Sequence, residues 1–528
     1  MNRRTFVGLT STAAAHFFIG GCATRTTRAG FELEEATIPQ WQAEMEAGGE
    51  SAVSIAKKYL QRIDSIDRHG PKLNSVIELN PDALDLAREL DAEREAKGPR
   101  GPLHGIPVLL KDNIDTHDRM MTTAGSLALL GSHAPQDAAV AARLRAAGAV
   151  ILGKTNLSEW ANFRGNRSIS GWSARGGQTR NPYVLDRNPS GSSSGSAAAV
   201  SANLCAFAIG TETDGSIVSP SSHCGIVGLK PTLGLVSRAG IIPIAHSQDT
   251  AGPMTRTVTD AAIVLGALTG VHQRDPATEA SLGKFHRDYR PFLDANGLRG
   301  ARIGVARRFF SANSRASKML DSAVEAMKQA GAEITDPAEL PTHGRFGDAE
   351  REVMLYEFKA GLNNYLASLG PSAPVQSLEE IIEFNERNRD RELRFFGQET
   401  LIAAQKKGPL TEQAYLNALA NSKRLAGKEG IDAVMNQHRL DALVAPTSGP
   451  AGVVDPVYGD RGEGGSSSPA AVAGYPSITV PAGSVHGLPV GITFFGRAWS
   501  EPTLLKIAFA FEQQTRARRA PTFIPTLK

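Results

Sequence analysis

The sequence predicts an α/β fold, a single large domain in which a central mixed, twisted β-sheet is covered by helices. Three observations carry that expectation. Strand-like apolar runs alternate with helical periodicity from residue 106 to residue 516. The chain has 528 residues, 41% hydrophobic and 21% charged, which supplies a large core and an ordinary globular surface. No internal repeat or low-complexity tract interrupts the alternation.

The first 22 residues read as a leader: twin arginines Arg3 and Arg4, a short apolar stretch from Phe6 to Ile19, then small residues before Cys22. The stretch is too short and interrupted for a permanent bilayer span. IGGC resembles a bacterial lipobox, with Cys22 as the lipidated residue after cleavage; the alternative is an ordinary signal peptide with an incidental cysteine. Export to the periplasm or cell envelope is expected, with membrane contact only through the lipid. Residues 23–30 form a polar tether, and the domain occupies 31–528. Lys plus Arg number 57 against 54 Asp plus Glu, a balance that argues against nucleic-acid or polybasic membrane binding. Oligomeric state is open between monomer and homodimer.

Within the domain, Ile55, Tyr59, Ile63 and Ile66 fall on one helical face. Pro81 starts and Gly98 stops a second helix. GIPVLLKDNI is a buried strand with Lys111 at its exit, and DAAVAARLRAAG is a helix stopped by Gly148. AVIL then forms a strand, and 165–196 a long Gly, Ser, Asn and Pro loop of the functional kind. AAAVSANL reads as a short helix, CAFAIG as a strand and GTETDGS as the turn leaving it. Residues 300–440 are mostly amphipathic helix, expected to cover one side of the sheet and shape the substrate pocket. LDALVAP, PSITVP and LPVGITFFG return to strand, and LLKIAFAFEQQTR closes the fold with a helix. Cys205 and Cys224 have no zinc-like spacing and lie among apolar and small residues, so they read as buried thiols; the exported compartment would permit a disulfide.

Two catalytic patterns compete. GAVILGKT, residues 148–155, fits G-x-x-x-x-G-K-[ST], the phosphate loop of an ATP-binding protein. Such a loop needs a strand before its first glycine and a turning backbone between the two; here a helix precedes Gly148 and a strand-like run fills the interval. GSSSG at 191–195 fits G-x-S-x-G, with Ser193 as a nucleophile elbow, yet Pro182 and Pro189 leave no proper strand before it.

Four blocks set GSSSG in another context: LHGIPVLLKDNID (103–115), NPSGSSSGSAAAV (188–200), IGTETDGSIVSP (209–220) and GIVGLKPTLGLVSRAGIIPIAHSQDTAGPM (225–254). In this order and spacing they resemble the amidase signature family, over roughly residues 31–525. TETDGSIV, IIPI, SQDTAGPM and SSSPAAVAGYPSITVPAGSVHGLPVGITFFG are most similar to its bacterial peptide amidase branch. The chain departs from the family in having SGSSSG for GGSSGG and Val218 for a frequent arginine.

The resemblance implies a Ser-Ser-Lys triad, with Lys111 as base, Ser192 as bridging serine after a cis bond from Gly191, and Ser216 as nucleophile. It implies a hydrolase without metal or cofactor, acting on C-terminal peptide carboxamides; the runner-up substrates are fatty or aryl amides. The chemistry agrees with these residue types. Ser216 needs an adjacent proton acceptor. Ser192, donor and acceptor at once, can take that proton while passing its own to Lys111, provided burial keeps the lysine neutral. Backbone N–H groups of Thr213, Asp214, Gly215 and Ser216, presented by a tight turn, can hold the oxyanion. Asp214 and Asp249 read as turn and loop organisers.

Overall fold

The apolar runs become strands, and their order places the chemistry. The computed structural model describes residues 33–310, 315–461 and 464–527; the leader, the tether and Cys22 lie outside them. The strands in chain order are β1 (Val76–Leu79), β2 (Pro107–Lys111), β3 (Val150–Thr155), β4 (Trp172–Ser173), β5 (Gly177–Gln178), β6 (Phe207–Glu212), β7 (Val227–Lys230), β8 (Thr250–Thr255), β9 (Arg302–Val305), β10 (Glu333–Thr335), β11 (Ala442–Pro446), β12 (Ser477–Val485) and β13 (Leu488–Phe495). Eleven of them form one sheet in the order β1-β3-β2-β6-β8-β7-β12-β13-β11-β9-β10, and β4 with β5 makes a separate hairpin. The sheet is mixed: β2 runs parallel to β3 and β6, β6 antiparallel to β8, and β12 antiparallel to β13. It is a single large α/β domain, as the alternation predicts.

β2 and β6 sit side by side and are buried along their whole length. Runs of Val, Leu, Ile and Ala flanked on both sides by other strands and covered by helices have no polar face to expose. Their C-terminal ends therefore deliver Lys111 and the turn after Glu212 to the same edge of the sheet.

The helix Ala52–Arg62 starts at a capping box formed by Ser51 and Ser54, and the Asp91 carboxylate takes the amides of Ala52 and Val53. Ile55, Tyr59 and Ile63 are buried as their spacing predicts. Ile66 is only part-buried, because the helix widens into a π turn over Ile63–His69 and its face rotates. Asp67 turns inward instead, and its carboxylate accepts the amides of Ser75 and Val76.

The segment 300–440 contains the long helices Arg315–Gln329 and Gly347–Ser368, but also β9 and β10, which extend the sheet at its far edge. Helix Gly347–Ser368 packs Leu355, Phe358, Leu362 and Leu366 with Trp160, Phe163, Ile242 and Ile244, the loops beside the edge that carries Lys111. Hence this segment is a wall of that edge as well as part of the sheet.

Candidate active site

Lys111 ends β2 fully buried, with Nζ 2.7 Å from Ser192 Oγ, 2.8 Å from Thr211 Oγ1 and 3.3 Å from the Thr211 carbonyl. Burial pulls its pKa from 10.5 down to about 7, against the opposing pull of the Glu212 and Asp249 carboxylates. The contacts suit an uncharged amine: its two N–H groups can go to the two Thr211 oxygens, leaving the lone pair free to accept the Ser192 hydroxyl proton. Asn113, two residues on, donates Nδ2 to the same Thr211 Oγ1 at 3.0 Å.

Ser192 is fully buried and follows a cis peptide bond from Gly191. Its carbonyl accepts the Ser158 amide at 3.1 Å, and a Cβ at position 191 would run into Ser158 Oγ, so only glycine fits there. Ser193 faces the other way. Its hydroxyl donates to the Thr211 carbonyl at 3.1 Å and accepts the Thr211 amide at 3.2 Å, stitching the loop to β6 inside the core. A nucleophile elbow presents its hydroxyl to substrate, and this one is spent on backbone.

The turn after β6 has Gly215 at φ +78°, a conformation that favours glycine, and leads through Ser216 into the helix Val218–His223. Glu212 Oε2 accepts the amides of Ile217 and Val218 at 2.8 and 3.1 Å, pinning the far side of the turn. Among the described residues, the amides of Thr213, Asp214, Gly215 and Ser216 donate to no protein acceptor. Thr213 Oγ1 donates to Asp249, whose other oxygen accepts the amides of Ile244 and Ala245, both at 2.9 Å. Asp214 accepts from Ser468 Oγ at 2.6 Å. Gln248 Nε2 bridges the Thr213 carbonyl, at 3.4 Å, and Glu350 Oε1, at 3.0 Å. Burial, and then the adjacent Asp214 carboxylate, push Glu350 up to about 9, so Glu350 keeps its proton at neutral pH.

Ser192 and Ser216 line one narrow cavity of about 10 Å³, room for about one water, with Asn113, Thr213, Arg238 and Ile244 among its other walls. Arg238 brings no free charge to it, being paired with Asp275 through Nη2 at 2.6 Å and Nε at 3.0 Å. On the opposite side of the turn a cleft of about 350 Å³ is lined by Gly191, Asp214, Gly215, Asn188 and Asp460. The turn stands between a narrow cavity and a wide cleft.

The sequence profile of the family described as Amidase matches residues 54–505. The chain belongs to the amidase family. The amidase is similar to the crystal structure of a peptide amidase in complex with the competitive inhibitor chymostatin, at 55% identity and TM-score 0.91, with 93% of this chain and 100% of that one covered. The native peptide amidase from Stenotrophomonas maltophilia matches at 54% identity and TM-score 0.88, over 93% and 99% of the two chains. A probable amidase of Arabidopsis thaliana is 42% identical over 94% of this chain and 93% of its own.

Several residues of the amidase that shape this site carried no sequence signal. Thr211, Glu212 and Asn113 lie inside the recognised blocks but have no local pattern separating them from scaffold. Gln248 lies in SQDT, and Glu350 on an amphipathic helix with many acids. Lys154 of GAVILGKT is in β3, which stays extended past a bulge at Leu152 and pairs with β2 through Gly153 and Lys154; its Nζ is buried and donates to the Ile114 carbonyl at 2.7 Å and Thr122 Oγ1 at 3.0 Å. An extended strand cannot wrap a phosphate. Cys205 and Cys224 are both free and buried, and burial raises the Cys205 thiol to about 12 and Cys224 higher still.

Proposed function

We propose that this amidase hydrolyses C-terminal carboxamides of peptides, releasing ammonia through an acyl-enzyme formed on Ser216. The observation that carries the reading is the 2.7 Å contact between the buried Lys111 amine and Ser192 Oγ, in the cavity that Ser216 also lines. Ser216 Oγ attacks the carbonyl carbon as its proton passes to Ser192 and the Ser192 proton passes to Lys111 Nζ. The carbonyl electron pair becomes an oxyanion facing the unpaired amides of the 213–216 turn. When the pair returns to re-form the carbonyl, the C–N bond breaks. Its nitrogen takes the proton back from Lys111 through Ser192 and leaves as ammonia. Water repeats the sequence on the acyl-enzyme.

The narrow cavity beside the two serines suits a small leaving group, and the wide cleft across the turn suits an extended acyl part. The likeness to peptide amidases favours a peptide for that part. One feature favours fatty or aryl acylamides: a cavity of about 370 Å³ with Phe309, Phe310, Leu320 and Pro446 on its walls, which shares Ser448 and Gly449 with the cleft. Ammonia release from peptide amides, free amino-acid amides and fatty amides separates the readings. Peptide amides are expected to turn over fastest and Ser216→Ala to turn over none; a fatty amide preferred over every peptide amide would overturn the substrate assignment.

Export and a lipid on Cys22 remain part of the proposal. Mass spectrometry of the native N-terminus is expected to find a lipidated Cys22, and an unmodified terminus elsewhere would remove the anchor.

A further inference from the structure

Asn113 lies in the machinery with half its side chain unspent. Its Nδ2 is committed to Thr211 Oγ1, yet Oδ1 is buried and has no donor among the described residues. Leaving a buried acceptor unpaired is costly, so such a group marks a place where a ligand or water completes it. Asn113 is 3% exposed and lines the cavity that also holds Ser192 and Ser216. One other acceptor of that cavity is unpaired, Glu212 Oε1, but its carboxylate already binds the amides of Ile217 and Val218 and lies near the Lys111 and Lys230 amines.

Position says which atom of a substrate would meet Oδ1. Asn113 Nδ2 is 3.0 Å from Thr211 Oγ1, that oxygen 2.8 Å from Lys111 Nζ, and Nζ 2.7 Å from Ser192 Oγ. The departing nitrogen must approach Ser192 to recover its proton, which brings it to this side of the cavity; the oxyanion lies on the other, at the 213–216 amides. We propose that Asn113 Oδ1 accepts a hydrogen bond from the N–H of the scissile carboxamide, holding the leaving nitrogen against Ser192 and selecting amides over esters. The inference rests on the relay through Ser216, Ser192 and Lys111. An amide nitrogen carries hydrogens that can satisfy Oδ1; an ester oxygen has none, so the orphan acceptor stays unpaired with an ester bound.

The test compares a peptide amide with the methyl ester of the same peptide. For Asn113→Ala, kcat/KM on the amide is expected to fall by about tenfold to a hundredfold, the range for a buried hydrogen bond, while the ester changes by less than about threefold. A parallel loss on both substrates would assign Asn113 to support of Thr211 and overturn the proposal, as would no loss on either. Asn113→Asp gives a complementary measurement should the alanine variant fail to fold. It keeps an acceptor oxygen at this position, so the amide-to-ester ratio should stay near wild type even as added negative charge favours the Lys111 ammonium and slows both reactions. A collapsed ratio in Asn113→Asp would likewise overturn the proposal. Amide turnover surviving in Ser216→Ala would instead sink the relay itself, a distinguishable outcome.

Discussion

Replacing Lys111 by methionine, similar in volume but without charge, separates the thermodynamic position of the amine from its chemistry. Burial holds the folded pKa near 7 against an ordinary 10.5. Between those values the unfolded chain binds a proton that the folded protein does not, so wild-type stability rises with pH across this window and levels off below about 7 and above about 10.5. The cost of burying the amine is about 4 kcal/mol at pH 7, from 1.36 kcal/mol per tenfold change in proton affinity. Methionine removes that cost but also three hydrogen bonds, to Ser192 Oγ, Thr211 Oγ1 and the Thr211 carbonyl, at about 1 kcal/mol each. The expected outcome in urea unfolding is a variant about 1 kcal/mol more stable than wild type at pH 7 and about 2 kcal/mol less stable near pH 9.5. The curves cross near pH 8 by the same arithmetic, about 1.4 kcal/mol per pH unit, with amidase activity lost throughout. Parallel stability profiles for the two proteins would refute the claim that the folded site holds lysine uncharged.

In wild type, kcat/KM should rise as pH passes about 7, where Lys111 gives up its proton, and fall above about 9, where Glu350 loses its own. Glu350→Gln keeps a donor that cannot titrate, so the alkaline limb should move up or vanish while the acid limb stays; an unchanged alkaline limb would rule out Glu350 as its source. With a fluorophosphonate probe, Ser216→Ala should lose labelling and Ser193→Ala should keep it, while Ser193→Ala loses about 1–2 kcal/mol of stability with its two bonds to Thr211; labelling that depends on Ser193 would revive the elbow. Arg164 is buried between Glu159 and Glu392 and over the Phe396 ring, so Arg164→Met should cost about 3–5 kcal/mol in urea unfolding by leaving two carboxylates without their cation; a loss under about 1 kcal/mol would contradict that role.

The parts of the fold legible in the sequence were those whose pattern is local. β2, β3, β6, β11, β12 and β13 are long apolar runs with strong end signals, and each formed where its composition predicts. β9 and β10 have only four and three residues and lie amid helical periodicity, which is too short for an alternation to emerge. The helix Val218–His223 was invisible because SPSSH is turn-like in composition; its first amides are held by Glu212 rather than by a cap of its own. Around the site, residue types alone left Ser192 and Ser193 equivalent. What separates them is the tertiary fold: one hydroxyl meets the Lys111 amine and the other the Thr211 backbone. Glu350 was illegible for a different reason. On a helix with several acids, only the tertiary fold decides which one is buried, and burial next to Asp214 is what gives it a distinct chemistry.

The burial of Glu350 ties this helix to the edge of the sheet that carries Lys111. Helix Gly347–Ser368 touches the loops there at three heights: Glu350 meets Gln248 and Asp214, Glu357 accepts the Ser247 amide at 2.9 Å, and the Tyr365 hydroxyl donates to Asp115 at 2.8 Å. Asp115 follows Lys111 by four residues, Asp214 precedes Ser216 by two, and Ser247 precedes Asp249 by two. One rigid rod is therefore bonded beside the strand end that carries Lys111, the 213–216 turn and the aspartate that anchors that turn. A shift of this helix to admit a different acyl group would be felt at all three, because buried hydrogen bonds of this kind do not stretch without being lost. Changes in acyl preference made on this helix should accordingly alter kcat as well as KM, whereas changes made on the Val453–Arg461 rim of the cleft, which touches none of the three, should act on KM alone.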